Sequence, residues 1–323
     1  MPRILTLTLN PALDVSTAID RVEPVHKMRC GEPVRHPGGG GINVARVLHR
    51  LGADVVAIYP AGGATGAALT QLLRAEGVPA QVVPIAGETR ESFSVHEASS
   101  GQDWRFVLPG PTLSEAELRA CREALLTAVG GAASAPGGRP SSDTWVVASG
   151  GLPPGVSESC WAELAREVHA RGARFVIDTN GPALAQALAA GVDVFKPSLR
   201  ELRQLTGQAL PDEASQVAAA RALIDTGRAS TLALSLGEQG AILVTAEGGW
   251  RAKALDVPVA STIGAGDSFV AGLVFGLAQG QAPQQAFAQA LATSAAALLS
   301  HGTTLAEPAD VARLLPEVRV HPI

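Results

Sequence analysis

The chain has 323 residues, of which 46% are hydrophobic and 17% charged, and its formal net charge is −5. This composition supports a large core and excludes a disordered chain, while the absence of a basic stripe argues against nucleic-acid binding. The three cysteines, Cys30, Cys121 and Cys160, are widely spaced and form no C-x-x-C pattern, which indicates reduced thiols and a cytoplasmic location.

Short β-branched runs alternate with segments of helical period along the chain. Strands are predicted at 4–9, 55–59, 145–148, 175–177, 192–195, 232–235 and 242–245. Helices are predicted at 44–51, 65–76, 114–128, 157–171, 212–226, 267–279 and 283–300. The alternation predicts an α/β fold with a mostly parallel sheet, helices on both faces, and ligands at the carboxyl ends of the strands.

Neither apolar extreme of the sequence predicts a membrane protein. The N-terminal apolar run stops at Asn10-Pro11, too early for a signal peptide. The most apolar stretch, 286–299, contains Gln289, Thr293 and Ser294, which favours a buried helix over a membrane span.

Two segments, 14–36 and 88–108, interrupt the alternation. Both look extended and neither leads into a helix, so we expect them to form a small separate sheet that covers the site as a lid on a single 1–323 domain. The stretch 130–142 is rich in glycine, alanine and serine and predicts a solvated loop.

Two glycine-rich motifs precede predicted helices. The first, Gly38 to Gly41, allows a ligand to approach the backbone, or is merely a flexible turn. The second is Gly264-Ala265-Gly266-Asp267, whose amides would converge on an anion at the start of a helix. Asp267 could then take a proton from an attacking hydroxyl, or could simply cap the helix. With lysine only at 27, 196 and 253, no Gly-Lys dipeptide exists, which excludes a P-loop.

Several charged residues could serve a phosphorylated substrate. Lys27, Arg29, Arg90 and Arg105 lie in the two lid segments and could hold a phosphate, or protect sheet edges from aggregation. Asp14 follows the first strand, where a carboxylate could accept sugar hydroxyls or stabilise a turn. Glu201 also follows a strand and could hold a metal-bound water, or be a solvated charge on a helix.

The motifs together resemble one family over nearly the whole chain. T-L-T-L-N-P-A-L-D, P-G-G-G-G-I-N-V-A-R, A-G-G-A-T-G, S-G-G-L-P-P-G and G-A-G-D occur in the order and spacing of the PfkB carbohydrate kinases. The resemblance implies a three-layer ribokinase-like fold with a β-sheet lid, and an ATP-dependent sugar kinase that uses Mg²⁺.

The resemblance also implies roles for individual residues. Asp267 is expected to be the catalytic base, with Gly264, Ala265 and Gly266 forming the anion hole. The expected sugar contacts are Asp14, Gly38, Gly39 and Asn43, and the expected phosphate contacts are Lys27 and Arg90, assisted by Arg29 and Arg105. The expected nucleotide and Mg²⁺ positions are Lys196, Ser198, Glu201, Ser235 and Gly237, with Glu201 acting through a metal-bound water.

Two further features follow from the resemblance alone. A monovalent cation such as K⁺ would bind near the backbone of Ser261, Ile263, Ala297 and Gly302. The lid strands of two chains would pair to give a homodimer.

The glycine block separates the candidate substrates. Relatives that act on fructose 1-phosphate or tagatose 6-phosphate usually carry lysine where this chain has Gly40. The block resembles the 6-phosphofructokinase branch, which implies that ATP and fructose 6-phosphate are the substrates, with transfer to the C1 hydroxyl. A 1-phosphofructokinase or a tagatose-6-phosphate kinase remains an alternative, because Gly40 argues against these activities without excluding them. A non-catalytic sugar-phosphate sensor is a further alternative, supported by Ser198 in place of the usual asparagine and Gly151 in place of a usual serine.

Overall fold

The computed structural model describes residues 2–134 and 143–323. The strands are β1 (Arg3–Leu7), β2 (Ala12–Ile19), β3 (Val34–Gly38), β4 (Asp54–Ala61), β5 (Ala80–Pro84), β6 (Arg90–Glu97), β7 (Gln102–Val107), β8 (Thr144–Ser149), β9 (Arg174–Asp178), β10 (Val192–Phe195), β11 (Ala229–Ser235), β12 (Ala241–Thr245), β13 (Gly248–Ala252) and β14 (Val320–Pro322). The helices are α1 (Gly40–Arg50), α2 (Gly63–Ala75), α3 (Glu115–Ser134), α4 (Cys160–Ala170), α5 (Gly181–Ala190), α6 (Leu199–Thr206), α7 (Glu213–Asp225), α8 (Ala265–Ala278), α9 (Pro283–Leu298) and α10 (Pro308–Leu314).

The large sheet has the strand order β14-β13-β12-β11-β10-β9-β8-β1-β4-β5. From β11 to β5 every pairing is parallel, and β12, β13 and β14 add an antiparallel edge. Strand β1 lies between β8 and β4, so later strands extend the sheet on both sides of β1. This is a topological switch point, and ligands bind outside the carboxyl ends of the strands there.

Helices cover both faces of the large sheet, which gives three layers. Alternate side chains of one strand enter opposite cores: Ile4 packs with α1, α2, α8, α9 and α10, whereas Leu5 and Leu7 pack with α3, α4, α5 and α7. Strands buried on both faces are expected to have a continuous apolar run, and β8 has one at 145–148. The predicted three-layer α/β fold with a mostly parallel sheet and a small separate sheet is confirmed.

The small sheet has the order β3-β2-β6-β7 and two chemically different faces. Paired positions place Asp14 beside Ser92, and Ser94 beside Arg105, on one face. The opposite face carries the pairs Phe93–Phe106 and Val95–Trp104. A polar face therefore looks toward the site described below, and an apolar face looks away from it.

The structure differs from the predicted elements at several places. Residues 20–33, predicted to be extended, form an irregular loop between β2 and β3. Residues 130–134 of the predicted loop 130–142 belong to α3, and 135–142 lie outside the described residues. The short helices α5, α6 and α10 and the strands β5, β13 and β14 were missed. Across the described ranges, no helix combines the length and apolarity that a bilayer span requires.

Candidate active site

The glycine run 38–41 lies where β3 enters α1, and each glycine there is tightly surrounded. A Cβ at Gly38 would overlap the Asp14 carboxylate, and one at Gly40 would overlap the Ser149 hydroxyl. At Gly41 it would lie 2.6 Å from Thr8 Oγ1, and Gly39 has φ +110°, a backbone conformation that glycine favours. The run is therefore a compact junction between β2, β1 and β8 at the switch point, and not a flexible turn.

Asp267 lies in the first turn of α8, between the two halves of the site. Its Oδ2 accepts a hydrogen bond of 2.8 Å from Asn43 Nδ2 on α1, a residue that is only 4% exposed. Burial, and then repulsion from Asp178, raise the pKa of Asp267 to about 7. A carboxylate with such a pKa is suited to take a proton from a hydroxyl near neutral pH.

The anion hole is predicted at the backbone that begins α8. Gly264 is the N-cap with φ 78°, and a Cβ there would overlap the Leu305 side chain. The Ser294 hydroxyl donates to the Ala265 carbonyl over 3.0 Å, which ties this turn to α9. The first N–H groups of a helix have no acceptor within it, so the amides of this turn can receive an anion.

Lys196 follows β10 and is almost fully buried. Its Nζ lies 3.2 Å from Asp178 Oδ1 at the end of β9, and a Cβ on Gly266 would be 3.7 Å from the same Nζ. Burial alone would lower the pKa of Lys196, but Asp178 and Glu201 raise it, so the ammonium is retained. Lys196 therefore places a positive charge beside the backbone predicted to form the anion hole.

Asp178 was missed in the sequence, although it contacts Lys196 and influences the pKa of Asp267. The available signal was the aspartate at the carboxyl end of a predicted buried strand, the same signal that identified Asp14.

Ser198 and Glu201 together cap helix α6. The Ser198 Oγ accepts from the Glu201 N–H over 3.3 Å, and Glu201 Oε2 accepts from the Ser198 N–H over 2.7 Å. Serine and asparagine are both strong N-caps, so the departure at Ser198 preserves the local fold. Ser235, at the end of β11, forms an isolated bridge with Ser198, and Gly237 begins the next turn with φ 59°. The five predicted nucleotide-side residues are thus brought to adjoining strand ends.

The residues near Lys196 fit a magnesium ion bound mainly by a nucleotide. Within the described ranges no group of three or more histidine, cysteine or acidic side chains could hold a metal. Mg²⁺ usually keeps several waters and takes one or two carboxylates plus substrate phosphates. Glu201 uses Oε2 in the helix cap, and its Oε1 is not part of that cap.

A narrow cleft separates the polar face of the small sheet from the loop before α8. Its lining includes Asp14, Ser94, Arg105, Ile263 and Thr303. Burial raises the pKa of Asp14 to about 6, while nearby arginines, Arg105 foremost, act to lower it. The cleft combines a hydroxyl acceptor with cations, as a phosphosugar requires.

Arg90 lies on the same polar face of the small sheet, and one of its donor groups is available to a ligand. Its guanidinium donates to the carbonyls of Leu108 and Asn10, each over 3.1 Å. Its Nε is buried and, among the described residues, has no hydrogen-bond partner. An anion would satisfy that donor.

The structure does not bring Lys27 and Arg29 to Asp14 within one chain. Both are exposed in the irregular loop 20–33, and neither contributes to the pKa of Asp14. Their roles stay predictions.

The four backbone positions predicted for a monovalent cation lie in the loop before α8 and at the C-terminal end of α9 with the loop that follows it. The Ala260 N–H donates to the Leu298 carbonyl over 2.7 Å, which joins the loop of Ser261 and Ile263 to the end of α9, where Ala297 lies. Backbone carbonyls are suitable ligands for a hard cation, so the donor chemistry fits.

The sequence of the whole chain is similar to that of known carbohydrate kinases. The pfkB family carbohydrate kinase profile matches residues 8–310. The chain is 45% identical over 97% of its length to the ATP-dependent 6-phosphofructokinase isozyme 2 of Mycobacterium tuberculosis, covering 88% of that protein. It is 38% identical to the isozyme of the same name from Escherichia coli, over 97% of this chain and 98% of that one.

Solved structures show the same relationship. Phosphofructokinase-2 from Escherichia coli in complex with substrates and products superposes with a TM-score of 0.91 at 37% identity, covering 98% of this chain and 99% of that one. A 1-phosphofructokinase of Xanthomonas campestris is 35% identical over 84% of this chain and 83% of its own length. The profile match and these identities show that the chain belongs to the PfkB family of carbohydrate kinases.

Proposed function

We propose that this enzyme transfers the γ-phosphoryl group of ATP to the C1 hydroxyl of fructose 6-phosphate. The observation that carries the proposal is the position of Asp267, which Asn43 holds from the glycine-block side and Lys196 neighbours from the nucleotide side. The proteins of 45% and 38% identity are both named ATP-dependent 6-phosphofructokinase, which supports this choice of substrate.

Each residue then has a chemical task. Asp14 accepts hydrogen bonds from sugar hydroxyls. Arg90 and Arg105 hold the 6-phosphate, and Lys27 and Arg29 are further candidates for this phosphate contact. Asp267 takes the C1 hydroxyl proton while the amides at 264–267 and Lys196 stabilise charge on the transferring group. Mg²⁺ would be held through Glu201 and would neutralise phosphate charge when bound.

The glycine block also supports fructose 6-phosphate over fructose 1-phosphate. A side chain at position 40 would overlap Ser149 and would lie 2.9 Å from the Gly150 amide nitrogen. The lysine that other branches carry at this position therefore requires a different arrangement of the end of β8.

The direct test measures ADP release with ATP and Mg²⁺ against fructose 6-phosphate, fructose 1-phosphate and tagatose 6-phosphate. We expect the highest kcat/KM with fructose 6-phosphate. Preference for another phosphosugar would overturn the substrate assignment, and binding without turnover on all three would favour a sensor.

We also propose that K⁺ binds near the backbone of Ser261, Ile263, Ala297 and Gly302. Running the same assay with K⁺, and then with a bulky organic cation in its place, tests this site. The Escherichia coli phosphofructokinase-2 has been solved in complex with potassium.

The pH dependence should report the base. Because Asp267 must be deprotonated and its pKa is about 7, we expect kcat/KM to fall as pH drops through about 7. The fall should steepen below about 6, where Asp14 also takes a proton. A profile that stays flat between about pH 6 and 8 would contradict the assignment of Asp267 as base.

Replacement of Arg90 should separate binding from chemistry. Arg90→Ala should raise KM for fructose 6-phosphate by about 10-fold or more and change kcat little, because the phosphate loses a charged donor. Steady-state kinetics would check this, with the exposed Arg119→Ala on α3 as the control. An unchanged KM would move the phosphate site elsewhere.

We further propose that the chain forms a homodimer through the apolar face of the small sheet. Trp104 and Phe106 on that face are 40% and 55% exposed. Aromatic residues exposed on one sheet face are typical of an interface. Phe106→Asp should therefore yield monomers in light scattering at concentrations where the wild type is dimeric. Dimers of unchanged affinity would place the interface elsewhere.

A further inference from the structure

The segment 303–306, here called the strap, touches both halves of the proposed site. Thr303 lines the sugar cleft, and its hydroxyl interacts with the Asp14 carboxylate. The Leu305 side chain lies directly beneath Gly264, where it occupies the space of a Cβ. A shift of the strap would therefore move a sugar contact and the start of the anion hole together.

The strap has a backbone conformation that needs external support. Leu305 has φ 70°, a left-handed value that is uncommon for a residue with a γ-branched side chain, and it is fully buried. Such conformations persist where the surrounding structure holds them, and they concentrate at functional sites.

Arg46 on α1 supplies one part of this support. Its side chain is 0% exposed, unusual for an arginine. The Nη1 group donates to the Thr303 carbonyl over 2.9 Å and to the Pro37 carbonyl over 3.1 Å, and it lies 3.5 Å from Asn43 Oδ1. One guanidinium thus joins the strap, the strand before the glycine run, and the residue that holds Asp267.

Arg50 supplies the other part from the next turn of the same helix. Its Nη1 donates to the Thr304 carbonyl over 2.6 Å and to the Ala306 carbonyl over 3.4 Å. Glu76, the C-cap of α2, balances both arginines: its carboxylate lies 2.7 Å from Arg46 Nη2 and 3.3 Å from Arg50 Nη2. Two arginines of α1 thus bind three strap carbonyls, and one carboxylate from α2 pairs with both arginines.

We propose that Arg46 and Arg50, anchored by Glu76, are positioning residues that hold the strap and thereby set the geometry of the anion hole and of Asp14. This inference rests on the proposed kinase function. The three residues need not touch substrate; they act through Thr303, Leu305 and Asn43. A displacement of about 1 Å at a reacting centre can cost about 10²-fold in rate, so a loosened strap should be visible in kinetics.

The test compares Arg50→Met and Glu76→Gln with a matched control, Arg122→Met. Arg122 makes a comparable two-point ion pair with Glu167, joining α3 to α4 away from the strap. We expect the three variants to lose similar thermal stability. Only Arg50→Met and Glu76→Gln should also lose about 10-fold or more in kcat/KM per folded enzyme, with kcat falling and KM rising.

A second measurement keeps the inference falsifiable without catalysis. Hydrogen–deuterium exchange of the peptide 300–307 should rise in Arg50→Met and Glu76→Gln and stay at the wild-type level in Arg122→Met. Arg46→Lys keeps the charge but cannot reach the same set of acceptors. It should show the same rise in exchange at 300–307 and a larger fall in kcat/KM than Arg50→Met and Glu76→Gln.

The outcomes separate cleanly. Unchanged kcat/KM in both Arg50→Met and Glu76→Gln would overturn the proposal, whether or not exchange rises, because these residues would then only stabilise the fold. A kinetic loss without faster exchange at 300–307 would also overturn it. Failure of the wild type on fructose 6-phosphate would overturn the substrate assignment alone, and the variants would then be compared on the phosphosugar that the wild type accepts.

Discussion

Asp267→Asn should lower kcat by about 10²- to 10⁴-fold and leave the fold intact. Asparagine has nearly the same shape and can still accept the hydrogen bond from Asn43, but it cannot take the proton of the C1 hydroxyl. The acidic limb of the pH profile near 7 should disappear with the residue. Steady-state kinetics with fructose 6-phosphate over a pH series would check both effects.

The stability of this variant should distinguish lost chemistry from lost structure. Because the folded pKa of Asp267 is raised above its usual value, the carboxylate reduces the free energy of unfolding as pH rises through about 7. Asp267→Asn should therefore have a Tm at pH 8 no lower than the wild type, and the difference should shrink in acid. Asp225→Asn, at the far end of α7, is the control for the same chemical change. Near-normal turnover of Asp267→Asn would reject the assigned base.

Gly264→Ala should be the second most damaging change. Its Cβ would overlap Leu305, and its φ of 78° is unfavourable for alanine. Relief of the overlap must displace either the strap or the amides that would receive the transferring phosphoryl group. We expect kcat to fall by about 10²-fold, since loss of one oxyanion donor elsewhere costs 10²–10³-fold. The measurement is kcat together with urea unfolding.

Gly280→Ala is the matched control because Gly280 directly follows Gln279, the C-cap of the same helix, has φ 75° and has nothing within 4 Å of a Cβ. It should lose roughly 1 kcal/mol of stability from backbone strain and keep its activity. The double variant Gly264→Ala/Leu305→Ala removes the overlapping atoms and should recover part of the lost kcat. Full activity in Gly264→Ala alone would exclude this turn as the anion hole.

Local patterns in the sequence were sufficient for much of the fold. Continuous apolar runs predicted every parallel strand of the large sheet except β5, and helical period predicted the long helices. Helix α5 escaped because its ten residues, GPALAQALAA, are apolar on nearly every side and carry no period. Strand β13, GGWRA, has the wrong composition for a strand and is fixed by pairing with β12 and β14.

The residues of the candidate site also differ in whether a local sequence pattern reveals them. Asp267 and the glycines around it form one contiguous motif, so the sequence itself displays them. Arg46 and the Thr303 carbonyl are 257 residues apart and meet only after α1 and α9 have packed on the sheet. The capping box of Ser198 and Glu201 is a local S-x-x-E pattern that could have been recognised. The contact between Lys196 and Asp178 joins two different strand ends, so no local pattern shows that these two residues meet.

The tightly surrounded glycines at 38–41 have a consequence for sequence variation. Every replacement of a glycine adds at least a methyl group. At these four positions even a methyl group would collide with Asp14, Thr8, Ser149 or the backbone. In a saturation mutagenesis screen this stretch should therefore tolerate fewer replacements than the hydrophobic interior, where similar volumes can be exchanged. This glycine tract has the composition of a flexible linker, yet it should be the least variable segment of the protein.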